Sequence, residues 1–165
     1  MLRSKTRAGI LISGTGTTMQ HIIKASKDGR IKNLEVACVI SSEPGVKGIE
    51  TAIAEGVPAA DVIVCQRSTY SNDDFFGQAL LKQLQSREID FVAQLGWLRW
   101  TPDIVTREYK SRMINQHPGP LRPNHIDFGG KRMYGLRVHQ ARLNFVQATD
   151  RNYWTEAVSQ WVDPK

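Results

Sequence analysis

Five short apolar runs, separated by stretches of helical periodicity, constrain this chain more than any other feature. Ala8 to Ser13, Leu34 to Ile40, Asp61 to Cys65, Phe91 to Leu95 and a run entered at Met113-Ile114 each have the length of a buried strand. Between them, Met19 to Ser26 places Met19, Ile22 and Ile23 on one helical face, and about Lys47 to Glu55 turns Ile49, Ala52 and Ile53 inward. Ser71 or Asn72 can cap a third helix in which Phe76, Leu80 and Leu84 recur four apart. Thr101 reads as the N-cap of a shorter helix, with Pro102 at its first position and an end near Tyr109. This alternation predicts an α/β fold, a mostly parallel sheet with helices on both faces. After the fifth strand, Leu121 to Met133 reads as a Gly- and Pro-rich loop with a candidate flap over Asp127 to Arg132. Gly135 to about Ala148 reads as a long helix with Leu136, His139, Leu143 and Val146 on one stripe, and Trp154 to Val162 as a last strand.

At 165 residues the chain is long enough for one domain with a real core, and a single domain over 1–165 is expected. Twenty-two Lys and Arg against 16 Asp and Glu give a formal charge of +6, which favours anionic partners: nucleic acid, or small phosphorylated and carboxylated molecules. The basic residues are dispersed, without a block or an Arg/aromatic repeat, so no nucleic-acid partner is expected. No apolar run reaches membrane-spanning length and the N-terminus lacks a signal-like apolar region, so a cytoplasmic protein without a membrane partner is the expectation. Cys38 and Cys65 each sit inside an apolar run and read as small buried hydrophobes. His117 and His125 share an irregular loop without zinc-motif spacing, so no metal is expected.

In parallel α/β sheets ligands bind outside the carboxyl ends of the strands, and three chemically rich loops fall there. Gly14-Thr15-Gly16-Thr17-Thr18 follows the first strand and opens a helix, so the amides of Gly16, Thr17 and Thr18 suit a phosphate, although a plain tight turn has the same composition. The third glycine of a dinucleotide fingerprint is missing, the second strand ends in Ser41-Ser42 with no acidic residue for a ribose, and no Walker Lys follows. A monophosphate fits better than a dinucleotide. Gly96-Trp97-Leu98-Arg99-Trp100 follows the fourth strand; its tryptophans either plug the core or wall a pocket for a flat ring, and Arg99 meets either an acidic ligand or solvent. Asn115-Gln116-His117-Pro118 follows the fifth. Two apart on an extended segment, Asn115 and His117 share a side, where an amide donor and an imidazole can meet one atom; a histidine simply satisfied in a loop is the alternative. There is no Gly-x-Ser-x-Gly elbow, and neither cysteine lies in a reactive-looking loop, so covalent catalysis is not favoured.

Ile12 to Gln20, Leu95-Gly96-Trp97-Leu98-Arg99, Ile114 to Pro118 and Gly135-Leu136-Arg137-Val138-His139 resemble, in order and across nearly the whole chain, the folate-dependent formyltransferases that act on glycinamide ribonucleotide. The resemblance implies a Rossmann-like formyltransferase fold. It implies transfer of a formyl group from 10-formyltetrahydrofolate, as cosubstrate, to the amine of glycinamide ribonucleotide in purine biosynthesis. His117 and Asn115 would be catalytic, stabilising a tetrahedral oxyanion. Gly16, Thr17 and Thr18 would hold the substrate phosphate, Gly96, Gln116 and Pro118 would contact substrate, and Leu98, Arg99, Trp100 and Val162 would line the folate pocket, with His139 a further possibility. The partners implied are small molecules, with a homodimer possible. The loop from Arg122 to Tyr134 is longer than the family's usual connection. By alignment, the aspartate that tunes the histidine in the family falls just beyond Lys165, so the expectation is a C-terminally truncated domain of impaired activity. Alternatives are another enzyme of the fold (a formyltetrahydrofolate hydrolase, or a transferase acting on aminoacyl-tRNA or an amino sugar) and a non-catalytic phosphate- and folate-binding relative.

Overall fold

The computed structural model describes residues 5–122, 126–130 and 132–164; the readings that involve Met1 to Ser4, His125 and Lys131 lie outside the described residues. Five parallel strands form in the predicted places: β1 (Thr6–Ile12), β2 (Leu34–Ser41), β3 (Val62–Val64), β4 (Phe91–Gln94) and β5 (Met113–His117). Their order is β3-β2-β1-β4-β5, and a short strand β6 (Val158–Trp161) completes the sheet at the β5 edge. The amide of Val162 donates to the Met113 carbonyl at 3.0 Å. Helices α1 (Thr17–Lys27), α2 (Lys47–Ala54), α3 (Asp73–Gln85) and α4 (Asp103–Glu108) fill the crossovers, and α5 (Leu136–Thr149) precedes β6.

Contacts divide the chain into two compact units, one running to Asn115 and resuming at Trp161, the other Gln116–Gln160. In the first unit the period of two along β1 builds both cores. Ile10 and Ile12 point into a cluster with Met19 and Ile23 of α1 and Ala52 of α2; Leu11 points the other way, to Phe76, Leu80 and Leu84 of α3 and Val105 of α4. All three β1 residues are fully buried, as expected of a strand covered on both faces. Asn72, not Ser71, caps α3, its Oδ1 accepting from the Phe75 amide at 2.9 Å. Cys38 and Cys65 are free and buried; burial pushes the Cys38 thiol up to about 12, and that of Cys65 upward as well, so both remain thiols at neutral pH.

Several details differ from expectation, each for a local reason. Helix α2 is rotated so that Gly48 and Ala52 face inward and Ile53 is exposed, because Gly48 closes on the glycine loop. Thr101 does not cap α4. Its hydroxyl accepts from the buried Gln94 amide at 2.8 Å, and Pro102 takes the cap position with extended backbone. Strand β3 begins only at Val62, after a 3-10 turn (Ala59–Asp61) whose Asp61 carboxylate accepts from Arg87 Nε at 2.9 Å.

Within the second unit, α5 buries Val138 and Arg142, while Leu136 and Leu143 of the predicted stripe are exposed. Gly119 fixes that rotation: a Cβ there would lie 2.4 Å from Val138 Cγ1, so the loop after β5 lies directly on the helix. The final strand is shorter than Trp154 to Val162. Asp150 and Asn152 adopt left-handed backbone, and the carbonyls of Asn152 and Trp154 accept from Arg142, which keeps this stretch out of the sheet.

Candidate active site

The strand order reverses direction between β1 and β4, and in open α/β sheets the crevice outside such a switch point is where ligands bind. Two of the three predicted loops emerge there. The loop after β1 turns at Gly16, whose φ of 69° and tight surroundings admit only glycine: a Cβ would lie 2.8 Å from Met19 Cε and 3.1 Å from Gly48 Cα. Gly16 is the N-cap of α1 and its carbonyl accepts from the Gln20 amide at 2.9 Å, so the amides of Thr17 and Thr18 belong to the first turn, which lacks partners within the helix. Thr17 is exposed and Thr18 half-buried. These amides and hydroxyls lie at the positive end of the α1 dipole, a setting whose chemistry suits an anion.

Ser13 ties this loop to its neighbours. Its hydroxyl accepts from the Leu98 amide at 2.8 Å and from the Ser42 hydroxyl at 2.7 Å, and its own amide donates to the Gly96 carbonyl at 3.0 Å. One side chain thus fastens the loops after β1, β2 and β4. Beneath it, Gly48 of α2 donates its amide to the Gly14 carbonyl at 3.1 Å. Neither Ser13 nor Gly48 was singled out as a site residue from sequence. A glycine inside a helical pattern, where it costs stability relative to alanine, is the signal that identifies Gly48; a serine at the end of an apolar strand carries no comparable one. Replacing Ser13 by Ala is expected to leave the fully buried Ser42 hydroxyl without its acceptor and to lower stability by about 1–3 kcal/mol, measurable as a drop in the denaturant midpoint.

The loop after β4 separates its two tryptophans. Trp97 is buried in the core cluster with Phe76, Leu80 and Val105, and is therefore a plug; Trp100 and Leu98 are exposed. Arg99, whose side chain is partly exposed, forms an ion pair with Glu43 of the loop after β2. Gly96 turns the chain here with φ of 79°. Val162 packs its side chain partly buried against the same core cluster.

Strand β5 carries the remaining residues. Asn115 pairs with Gln94 in the ladder and is half-buried. In the second unit Gln116 and Pro118 are half-buried and His117 is 8% exposed, its Nε2 donating to the Phe128 carbonyl at 2.9 Å. His139 lies exposed on α5. The Phe128 carbonyl is an acceptor that sequence reasoning missed, because any residue supplies a carbonyl. Among the described residues no group of His, Cys, Asp and Glu forms a metal-binding cluster, and no helix is long and apolar enough to cross a membrane.

Comparison with known proteins fits this arrangement. Residues 6–147 match the formyl transferase family model. Phosphoribosylglycinamide formyltransferase of Haemophilus influenzae is 31% identical over 115 residues, 70% of this chain and 52% of that protein. The trifunctional purine biosynthetic protein adenosine-3 of Drosophila melanogaster is 30% identical over 118 residues, 71% of this chain but 8% of that protein. The chain thus spans about half the length of the first relative and a small part of the second. Among solved structures, glycinamide ribonucleotide transformylase 1 from Symbiobacterium toebii superposes with a TM-score of 0.80 at 28% identity, covering 98% of this chain and 68% of that one. The corresponding transformylase from Geobacillus kaustophilus gives 0.79 at 29% identity, covering 98% and 76%. With a matching parallel sheet, a glycine loop at its switch point and a family model that spans most of its length, the chain belongs to the formyl transferase family.

Proposed function

We propose that the chain transfers a formyl group from 10-formyltetrahydrofolate to the primary amine of glycinamide ribonucleotide. The observation that carries this reading is the glycine loop at the β1/β4 switch point, where left-handed Gly16 opens α1 in a setting that suits a single phosphate. Gly16, Thr17 and Thr18 bind that phosphate, and Gly96, Gln116 and Pro118 contact the rest of the ribonucleotide. Leu98 and Trp100, both exposed, with Arg99 and Val162 take the folate. Arg99 would exchange its partner Glu43 for an acidic group of the cosubstrate.

The amine nitrogen attacks the formyl carbon, forming the new C–N bond and a tetrahedral oxyanion. Asn115 donates its amide N–H to that oxygen, and His117 takes up, on the ring nitrogen that is not bonded to Phe128, the proton that leaves the attacking amine. Collapse breaks the bond to the folate nitrogen, which takes up a proton, and tetrahydrofolate departs. No covalent enzyme intermediate forms, so positioning of two substrates and stabilisation of developing charge supply the acceleration. Titration with each substrate alone and then a formyl-transfer assay with both test the reading. Formylated ribonucleotide and tetrahydrofolate in equal amounts are expected. Formate in place of formylated ribonucleotide would identify a hydrolase, and binding without turnover a non-catalytic relative.

A further inference from the structure

One charged side chain of the second unit is buried. Arg142 is 5% exposed on α5, in the middle of an aromatic cluster. Its guanidinium carbon lies 5.0 Å from the centroid of the Phe128 ring, 5.7 Å from Phe145 and 5.8 Å from Trp154. Its Nη2 donates to the carbonyls of Asn152 and Trp154, while its Nε has no partner among the described residues. A guanidinium out of water is costly unless its surroundings compensate. Here the compensation comes from neutral groups: ring faces, which attract the cation, and two carbonyls. That attraction acts both ways, so the guanidinium also fixes the rings that surround it.

Phe128 is the ring closest to Arg142, and it is also the residue whose carbonyl accepts from His117 Nε2. Its position is secured further by its amide, which donates to the Pro120 carbonyl at 2.9 Å, and by an edge-to-face contact with Phe145. A carbonyl only accepts, so Nε2 must carry a proton, and in the neutral ring Nδ1 is then the nitrogen with the free lone pair. Without a fixed acceptor at Nε2 both neutral tautomers become accessible.

We propose that Arg142 is a positioning residue for His117: by clamping Phe128 it holds the carbonyl that keeps the imidazole in its Nε2-protonated form, and so reserves Nδ1 for proton exchange with substrate. The proposal rests on the reading of His117 as the proton-transfer group. Uniformly ¹⁵N-labelled protein tests it through long-range ¹H–¹⁵N correlations of the imidazoles, with His117 assigned by its loss in His117→Asn. The wild-type ring is expected as a single Nε2–H tautomer. Arg142→Ala, and Arg142→Lys, which keeps the charge without the planar stack, are both expected to introduce the Nδ1–H form. In the same variants kcat should fall about tenfold with KM for each substrate changed less than about twofold, the pattern of a lost transition-state interaction. If Arg142→Ala does not fold, Arg142→Lys and Phe128→Leu, which removes the ring but retains the carbonyl, supply the same measurement. An unchanged single tautomer in any folded variant of this set overturns the proposal. A wild-type kcat in His117→Asn would instead overturn the catalytic reading of His117, whatever the tautomer result.

Discussion

His117→Ala is expected to slow formyl transfer by about a hundredfold to ten-thousandfold, the range that a positioned proton-transfer group contributes. That corresponds to about 2.7–5.4 kcal/mol of lost transition-state stabilisation. The side chain is buried and donates to the Phe128 carbonyl, so its removal also costs stability, roughly 1–2 kcal/mol for one hydrogen bond and its packing. In a chain of this size such a loss moves the melting temperature by several degrees and does not unfold the protein at 25 °C. The two effects therefore separate: calorimetry reads the structural loss, and single-turnover formyl transfer reads the catalytic one. Binding of either substrate alone should change little. A variant that binds both and transfers formyl at the wild-type rate would remove His117 from the mechanism.

Gly48→Ala is the second substitution with a large expected effect, and the magnitudes decide its sign. In a helix, alanine in place of glycine gains about 0.5–1 kcal/mol from chain entropy. Against this, the new Cβ would lie 2.6 Å from the Gly14 carbonyl oxygen and 2.6 Å from Ile12 Cδ1. The isoleucine methyl can swing aside, but the Gly14 carbonyl is backbone and accepts the Gly48 amide, so either α2 or the glycine loop must shift. Overpacking of this kind costs about 1–3 kcal/mol, so the net change is destabilising. The displaced loop is the proposed phosphate seat, and affinity for the ribonucleotide is expected to fall about tenfold, as about 1.4 kcal/mol of lost binding would give. Affinity for the folate, titrated separately, should change much less. Equal losses for both ligands, or none, would argue against Gly16 to Thr18 as the phosphate seat.

How far the chain could be read in advance follows from which interactions are local. Alternation of apolar runs and helical patterns is local, and it located β1 to β5 and the register of Phe76, Leu80 and Leu84. Capping is local too, which is why Ser71 or Asn72 could be proposed, and why only coordinates distinguish the two. The rotation of α2 and of α5 was not legible. A helix with apolar residues on more than one side turns according to what touches it, and the partners here are Gly14 for Gly48 and Gly119 for Val138, distant in sequence. Thr101 was misread because a buried Gln94, seven residues earlier, takes the hydroxyl that local rules assign to a cap. Nothing local marks Arg142 as a buried residue, since arginine is rarely buried without a carboxylate. The glycine loop and the Asn115 to Pro118 stretch stood out as candidates because glycine, asparagine, histidine and proline cluster there at strand ends. The hydroxyl of Ser13 and the carbonyl of Phe128 were not, since their importance lies wholly in three-dimensional neighbours.

The full burial of β1 bears on how long the proposed phosphate seat keeps its shape. Ile10, Leu11 and Ile12 are hydrogen-bonded to β2 on one side and β4 on the other, with a core cluster on each face. Amides in such a segment exchange with solvent only when much of the unit opens, so in deuterium exchange they should be among the slowest in the chain. Gly14 follows two residues after Ile12. The proposed anion seat is thus rooted in the part of the molecule that opens least often, whereas the side chains of Leu98 and Trp100 at the mouth of β4 are exposed. On the proposed reading, a phosphate arriving at that seat would meet a mould that keeps its shape between rare openings of the unit.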